Sequence, residues 1–280
     1  MAEKAHVDTS HLAIGIDIGG TGTKVGLVDV EAGELVGKRC RLDTPADASA
    51  EGIVETVSAA LGDLAAQCAE AGVIAAPEHL MKLPVGAAFP GVVKRGTVVF
   101  AGNLTQAIGA PIADLLREAT GTAVHIANDA DAAGLAEMTY GAGRKHRKES
   151  VIVTTLGTGI GTALFTSGRL YPYSELGHIM MGEEVAERQM SVAAMRRLEL
   201  GFEEWGARLT TYYRELERLF FPDLFILGGG ISKRSAEYLH HIDVKTPIRV
   251  AKLLNNAGIV GAGLLGANQG RPRVGRRKKG

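Results

Sequence analysis

The chain has 280 residues, of which 46% are hydrophobic, enough for two packed domains, and no apolar run reaches the roughly 18 residues of a membrane span. Residues 1–6 are polar and unlike a secretion signal, so we expect a cytoplasmic protein without membrane contact. The net charge of zero conceals a basic end, because residues 271–280 hold six of the 31 basic residues and no acidic one, leaving 25 positive and 31 negative charges elsewhere.

This composition also bears on two classes of partner. We interpret residues 271–280 as a disordered, solvated tail in preference to a nucleic-acid-binding arm, and an aromatic content of 5% argues against a base-stacking surface. The two cysteines, Cys40 and Cys68, show neither CxxC nor Cys/His spacing. We therefore expect no nucleic acid, no disulfide framework and no cysteine zinc site.

The first motif in the chain is a Gly/Thr-rich turn between two apolar strands, over residues 14–29. Glycines allow backbone N–H groups to converge on an anion, and threonine hydroxyls and a lysine add donors that suit phosphate oxygens. An ordinary Gly-rich β-turn is the alternative. The candidate phosphate-binding residues are Gly19, Gly20, Thr21, Gly22, Thr23 and Lys24.

The elements that follow alternate between strand and helix. We expect strands over 35–42, 81–89 and 123–127, and helices over 49–72, 111–120 and 132–140. The polar cluster from Asn128 to Asp131 then lies at a strand-to-helix junction, where α/β folds expose side chains to a cleft. The basic, Gly-containing stretch 141–149 is interpreted as a connector between domains.

Residues 151–165 repeat the pattern of strand, Gly/Thr turn and strand, 138 residues after the first. Two such hairpins half a chain apart indicate a duplicated α/β unit, each half giving one phosphate turn to a shared cleft. Residues 192–221 are expected to be largely helical, and 224–227 to form a buried strand. Gly228, Gly229 and Gly230 then open a helix, which favours an anion or nucleotide nearby. The last helix is expected over 259–269.

The helical stretch 192–221 carries one apolar stripe, which we assign to the core or to a subunit contact in preference to ligand binding. It consists of Trp205, Leu209, Tyr212, Leu216 and Leu219.

In their order and spacing these motifs resemble the ROK family of sugar kinases, within the actin-like ATPase superfamily, and most closely its polyphosphate glucokinase branch. The resemblance covers residues 12–268 and rests on Asp17–Thr21, Asn128-Asp129, Leu156–Gly161, Glu175–His178 and Leu227–Gly230. It implies an α/β fold with a duplicated ribonuclease H-like core and a central cleft. The domains expected are residues 1–127 with 258–280, and residues 128–257.

One departure from the family is the missing CxCGxxGCxE segment after Glu175–His178, so we expect no structural zinc. Absence of that loop favours the polyphosphate branch, as does the likeness of residues 205–233 to that branch. A helix-turn-helix regulator is disfavoured, because about a dozen residues precede the first strand.

The resemblance implies phosphoryl transfer from polyphosphate, and from ATP, to the 6-hydroxyl of glucose, with mannose left undecided and a homodimer expected. Asp129 would accept the hydroxyl proton, unless it merely caps a helix. Asp17 would bind Mg²⁺ through water, unless it only stabilises the turn. Thr158 and Gly159 would hold the transferring phosphate, together with the first turn. The sugar-binding residues implied are Asn103, Asn128, Asp129, Glu175, His178 and Glu187.

Some of these assignments have competing interpretations. Glu187 matches the branch loosely and is equally well explained as a solvated helix residue. The basic run 144–148 suggests a polyphosphate track, but a solvated connector is the preferred interpretation. A strictly ATP-dependent ROK hexokinase and a non-catalytic sugar sensor are the alternative functions.

Overall fold

The computed structural model describes residues 8–269, so the expected basic tail lies outside the described residues. This part of the chain forms two units, residues 8–136 with 256–269, and residues 137–255. The change of unit falls after Ala136 rather than after the expected residue 127, and the chain returns to the first unit at Asn256.

The strands and helices are numbered in chain order. The first part contains β1 (Leu12–Asp17), β2 (Thr23–Asp29), β3 (Glu34–Leu42), α1 (Ala50–Glu70), β4 (Val85–Phe89), β5 (Gly91–Lys94), β6 (Thr97–Ala101), α2 (Ile112–Thr120), β7 (Val124–Asn128) and α3 (Asp129–Thr139). The second part contains β8 (Ser150–Leu156), β9 (Ile160–Thr166), β10 (Arg169–Tyr171), β11 (Met180–Met181), β12 (Glu184–Val185), α4 (Ala186–Met190), α5 (Val192–Arg197), α6 (Phe202–Phe220), β13 (Leu224–Gly228), β14 (Ile248–Val250) and α7 (Ala257–Ala267).

The first unit is built on a five-stranded sheet in the order β3-β2-β1-β4-β7. The first three strands form an antiparallel meander, whereas β4 and β7 run parallel to β1. Parallel neighbours need long crossovers, which α1 and α2 supply. Glycines let α7 approach the sheet closely, because a Cβ on Gly15 would lie 2.0 Å from the carbonyl oxygen of Ile259, and one on Gly86 would lie 1.9 Å from that of Ala262.

The second unit repeats this topology in the order β10-β9-β8-β13-β14. Its first three strands are antiparallel, and β13 and β14 run parallel to β8. The prediction of a duplicated actin-like ATPase fold is therefore confirmed. Each predicted phosphate hairpin joins the first two strands of its own sheet.

A buried carboxylate fastens two loops of the second unit. The side chain of Glu137, at 1% exposure, accepts hydrogen bonds from the backbone N–H groups of Ala142 at 2.9 Å, Lys252 at 2.8 Å and Leu253 at 2.7 Å. Gly141 leaves room for it, since a Cβ there would lie 1.9 Å from a Glu137 carboxylate oxygen. The carboxylate thus provides the acceptor for three backbone N–H groups, of which that of Ala142 is buried.

The structure differs from the predicted elements at several places. The strand expected over 81–89 begins at Val85, because Pro77–Lys82 forms a 3₁₀ helix. The helix expected over 192–221 is broken between α5 and α6, and Leu219 is 47% exposed, outside the core. The segment after the third glycine motif, Gly230–Glu237, is a 3₁₀ helix rather than an α-helix.

The β5-β6 hairpin is not among the elements predicted from the sequence. Its two-residue turn consists of Arg95 and Gly96, with φ of 52° and 84°. A turn with both central residues at positive φ suits a hairpin, but arginine is not a residue typical of that position, so the usual Asn-Gly signal is lacking.

Along residues 8–269, none of the helices combines the length and apolar character needed to cross a membrane.

Candidate functional site

The first glycine-rich loop links β1 to β2 and places two charged side chains together. Asp17 ends β1 and pairs in register with Lys24 of β2. The Lys24 Nζ donates to Asp17 Oδ2 at 2.8 Å, and both side chains are partly buried. The two residues to which the sequence analysis gave separate tasks, metal and phosphate, therefore form one ion pair.

The loop also has a second cation that the sequence analysis missed. Arg41 lies opposite Lys24 in the register of β2 and β3, and its Nη2 donates to the carbonyl oxygen of Thr21 at 3.1 Å. The Thr44 hydroxyl donates to the carbonyl oxygen of Gly19. Antiparallel pairing of the strand expected over residues 35–42 with the strand before it is the signal that would have identified Arg41.

The threonines of this loop differ in their exposure. Thr21 is exposed, but the side chain of Thr23 is fully buried, with no partner for its Oγ1 among residues 8–269. Successive side chains in a strand point to opposite faces, so Thr23 and Lys24 face different ways. The predicted phosphate-binding role of the Thr23 hydroxyl is not supported by this burial.

The junction between β7 and α3 carries Asn128 and Asp129. The Asn128 Oδ1 accepts from the N–H groups of Ala130 at 2.8 Å and Asp131 at 3.2 Å, as a helix-capping side chain does. Its amide nitrogen donates to the carbonyl oxygen of Gly91 at 3.3 Å. Asp129 Oδ1 also accepts from the Ala130 N–H at 2.8 Å. The capping role considered for Asp129 is thus shared with Asn128.

Asn103 lies beside the first loop. A Cβ on Gly20 would be 3.3 Å from the Cβ of Asn103, so the missing side chain at Gly20 makes room for it. Asn103 is exposed and Asp129 is partly exposed, which keeps both side chains within reach of a ligand.

The side chains available to a metal ion are few. Across residues 8–269, no three His, Cys, Asp or Glu side chains lie close enough to hold a metal by themselves. Magnesium commonly takes one or two carboxylates and completes its shell with waters and substrate phosphates. Asp17 provides one such carboxylate at the phosphate loop, so this donor set fits Mg²⁺ held largely by the substrate.

In the second unit, three predicted sugar-binding residues form a cluster. His178 Nε2 lies 3.3 Å from Glu187 Oε1, and His178 Nδ1 lies 3.6 Å from Glu175 Oε2. Glu175 precedes a 3₁₀ turn that ends with His178, whereas Glu187 lies in the first turn of α4. The structure therefore brings the loosely matched Glu187 to the imidazole, although its function stays a prediction.

The second phosphate turn supports the Glu187 carboxylate. The Ile160 N–H donates to Glu187 Oε2 at 3.3 Å, and a Cβ on Gly159 would lie 2.4 Å from the same oxygen. Burial raises the pKa of Glu175 above its ordinary value, with the Glu187 charge adding to the rise and His178 opposing it. A carboxyl with a raised pKa in such a cluster accepts or donates a proton more readily near neutral pH.

A cavity of about 350 Å³ opens beside the second phosphate turn. It is lined by Leu156, Gly157, Thr158, Val192, Ala193, Arg196, Gly230, Ile231 and Arg234. Gly229, with φ of 85°, approaches the end of β8 so closely that a Cβ would lie 2.3 Å from the Leu156 carbonyl oxygen. Thr158 and Gly230 of the predicted motifs thus border one cavity, together with two arginines that the sequence analysis missed.

The basic run 144–148 belongs to the second unit. Arg147 donates to the carbonyl oxygen of Thr139 at 2.9 Å, and the His146 ring lies 2.6 Å from the Glu149 carboxylate. Arg144, Lys145 and Lys148 are exposed. Two of the five side chains therefore have structural partners.

The candidate residues divide between the units. Asp17, Gly19, Gly20, Thr21, Gly22, Thr23, Lys24, Asn103, Asn128 and Asp129 lie in the first; Thr158, Gly159, Glu175, His178, Glu187, Gly228, Gly229 and Gly230 lie in the second.

Comparison with known proteins agrees with this architecture. The chain is 36% identical over 265 residues to a polyphosphate glucokinase of Mycobacterium tuberculosis (strain CDC 1551 / Oshkosh), covering 94% of both chains. It matches the crystal structure of an inorganic polyphosphate/ATP-glucomannokinase from Arthrobacter sp. strain KM with a TM-score of 0.84 and 44% identity, covering 92% of this chain and 99% of that one.

A second solved structure is a ROK family glucokinase from Streptomyces griseus in complex with glucose and AMPPNP. Its TM-score is 0.75 at 28% identity, and the match covers 92% of this chain and 99% of that one. The family model described as ROK family matches residues 13–189. The chain belongs to the ROK family.

Proposed function

We propose that this protein is a sugar kinase that transfers a phosphoryl group from inorganic polyphosphate, and from ATP, to the 6-hydroxyl of glucose. The observation that carries the proposal is the 44% identity to a polyphosphate/ATP-glucomannokinase over 92% of the chain. The proposal also explains why both sheets carry a glycine-rich hairpin at the end of their first strand. The product is glucose 6-phosphate.

Asp129 is the proposed catalytic residue. A sugar hydroxyl becomes a better nucleophile when a carboxylate orients it and accepts its proton. Such general-base catalysis raises the reaction rate by about 10²–10⁴-fold. Because the transition state of phosphoryl transfer is loose, orientation is the larger part of this contribution. Asn128 accepts from the N–H groups of Ala130 and Asp131 at the start of α3, so capping of this helix does not depend on Asp129 alone.

The charge of the transferred group requires cations. Lys24 and Arg41 flank the first loop, and Thr158 and Gly159 offer donors in the second turn. Mg²⁺, when bound, neutralises phosphate charge, and Asp17 would hold it through water. Since Lys24 occupies Asp17 Oδ2, we expect the Asp17→Ala variant to lose both the pairing of Lys24 and much of the response to Mg²⁺.

Glucose recognition is assigned to hydrogen-bonding side chains. We propose that Glu175, His178 and Glu187 bind sugar hydroxyls. The carboxylates of Glu175 and Glu187 lie 3.6 and 3.3 Å from the two ring nitrogens of His178, so acceptors already surround one imidazole. Asn103 is exposed and suited to the same task. Asn128 is buried and engaged in capping, so its contribution is expected to be the positioning of Asp129.

A homodimer and a cytoplasmic location stay predictions of the sequence. The glucomannokinase name of the structural relative favours mannose as a second acceptor.

A coupled assay for glucose 6-phosphate tests the proposal, with polyphosphate and then ATP as sole donor. We expect product with both donors, and a fall of at least a hundredfold in kcat for Asp129→Asn. Product with ATP alone would favour a strictly ATP-dependent hexokinase. Glucose binding without product from either donor would indicate a sugar sensor, and an Asp129→Asn variant with most of its activity would remove Asp129 from catalysis.

A further inference from the structure

The cavity beside the second phosphate turn contains two arginines in unequal states. Of its nine lining residues, Arg196 and Arg234 are the charged ones. The Arg234 guanidinium donates to both carboxylate oxygens of Glu237, at 2.6 and 2.7 Å, and lies 4.6 Å from the centroid of the Phe202 ring. The charge of Arg234 is therefore already compensated.

Arg196 has no such compensation. Within residues 8–269 its guanidinium takes part in no hydrogen bond, ion pair or ring contact. It lies in the last turn of α5, and the N–H of Ala193 in the same helix donates to the carbonyl oxygen of Gly157 at 3.2 Å. Arg196 is thus an unpaired cation on a helix fastened to the second phosphate turn.

An unpaired guanidinium beside a phosphate-binding turn suits an extended polyanion. Guanidinium forms paired hydrogen bonds with phosphate oxygens, and it keeps its charge at every physiological pH. Polyphosphate carries negative charge on every unit along its length, whereas the remote end of ATP is a neutral base. A cation displaced from the transferred phosphate therefore gains more from polyphosphate than from a nucleotide.

We propose that Arg196 binds phosphate units of the donor beyond the one transferred and thereby favours polyphosphate over ATP. This inference rests on the proposed function, since it assigns the donor preference to a residue of the same site. Thr158 and Gly230 border the cavity as well, so a chain seated at the second turn would pass Arg196. Because Arg196 is exposed, its removal is not expected to disturb folding.

The test compares three arginine-to-glutamine variants in the coupled assay. For Arg196→Gln we expect the KM for polyphosphate to rise about tenfold, as for one lost charge-assisted hydrogen bond, with the KM values for ATP and glucose within threefold of wild type. Arg197→Gln, in the same helix but outside the cavity lining, is the matched control for loss of charge. Arg234→Gln is expected to change the polyphosphate KM less than Arg196→Gln, because Glu237 already neutralises Arg234.

The outcomes distinguish failure of this inference from failure of the proposed function. An unchanged polyphosphate KM in Arg196→Gln overturns the inference, and so does an equal rise in KM for both donors. An equal effect of Arg197→Gln would also overturn it, since charge near the cavity would then suffice. If the wild-type protein forms no glucose 6-phosphate from polyphosphate, the proposed function fails instead, before any variant is compared.

Discussion

Substitution of Gly159 by alanine separates binding from folding. The new Cβ would lie 2.4 Å from Glu187 Oε2, and since real contacts do not fall below 3.0 Å, the carboxylate must retreat by about 0.6 Å or more. Its hydrogen bond from the Ile160 N–H, now 3.3 Å, would then exceed bonding distance. Glu187 Oε1, which lies 3.3 Å from His178 Nε2, belongs to the same carboxylate and would be displaced with it.

The effect on stability is expected to be small. The lost hydrogen bond to a partly exposed carboxylate costs about 1 kcal/mol, and replacement of glycine by alanine returns about 0.4–1 kcal/mol by restricting the unfolded chain. The backbone of Gly159 is not among those with positive φ, so alanine fits it without strain. A net change within about 1 kcal/mol shifts Tm by no more than about 4 °C.

The effect on glucose is expected to be large. Loss of a hydrogen bond between a carboxylate and a sugar hydroxyl costs about 1.5–3 kcal/mol, which raises the glucose KM roughly tenfold to a hundredfold. The measurements are glucose KM in the coupled assay and Tm by thermal denaturation. Gly157→Ala is the matched control in the same turn, because a Cβ there meets nothing within 4 Å and leaves Glu187 in place.

A glucose KM for Gly159→Ala within twofold of wild type would refute the reasoning, since Glu187 would then move without consequence. The double variant Gly159→Ala/Glu187→Ala adds a further test. If Gly159 acts through Glu187, the two effects on KM must fall short of additivity.

Three further predictions concern folding and pH. Gly86→Ala would place a methyl carbon 1.9 Å from a backbone carbonyl oxygen of α7, so we expect the free energy of unfolding, measured by chemical denaturation, to fall by about 1–3 kcal/mol. Gly62→Ala, with open space around its Cβ, should preserve or raise the free energy of unfolding. Glu137→Ala leaves three backbone N–H groups without their carboxylate acceptor and should lower the free energy of unfolding by about 3–5 kcal/mol; a denaturation midpoint equal to that of the wild type would contradict this structural role of Glu137. Burial raises the pKa of Glu175 above 4.5, so glucose KM should rise as the pH falls through that raised pKa, and Glu175→Gln should flatten this acid limb in a pH series of KM values. The unfolded chain binds this proton less tightly, so the contribution of Glu175 to stability falls as the pH rises from about 4.5 through the raised pKa, and Glu175→Gln should weaken that slope in Tm.

The duplicated architecture and the two phosphate hairpins could be predicted from residue patterns alone. Turn chemistry and the alternation of apolar residues are local properties, and the structure has the hairpins that they predict at Asp17–Lys24 and within residues 151–165. Ser49 as the helix cap of α1 is local in the same sense, since its side chain accepts from Gly52 three residues later. The β5-β6 hairpin was not predicted, because Arg95 adopts positive φ at a turn position where asparagine, aspartate or glycine is usual.

Which side chains come into contact depends on the packing of the folded chain. The sequence separates His178 from Glu187 by a short hairpin of β11 and β12, and their 3.3 Å approach depends on where α4 packs. The pleat of β2 buries Thr23 while it turns Lys24 toward Asp17. Arg196 and Arg234 border one cavity although neither lies in a recognisable motif. Such contacts depend on packing between segments distant in the chain, which local residue patterns do not encode individually.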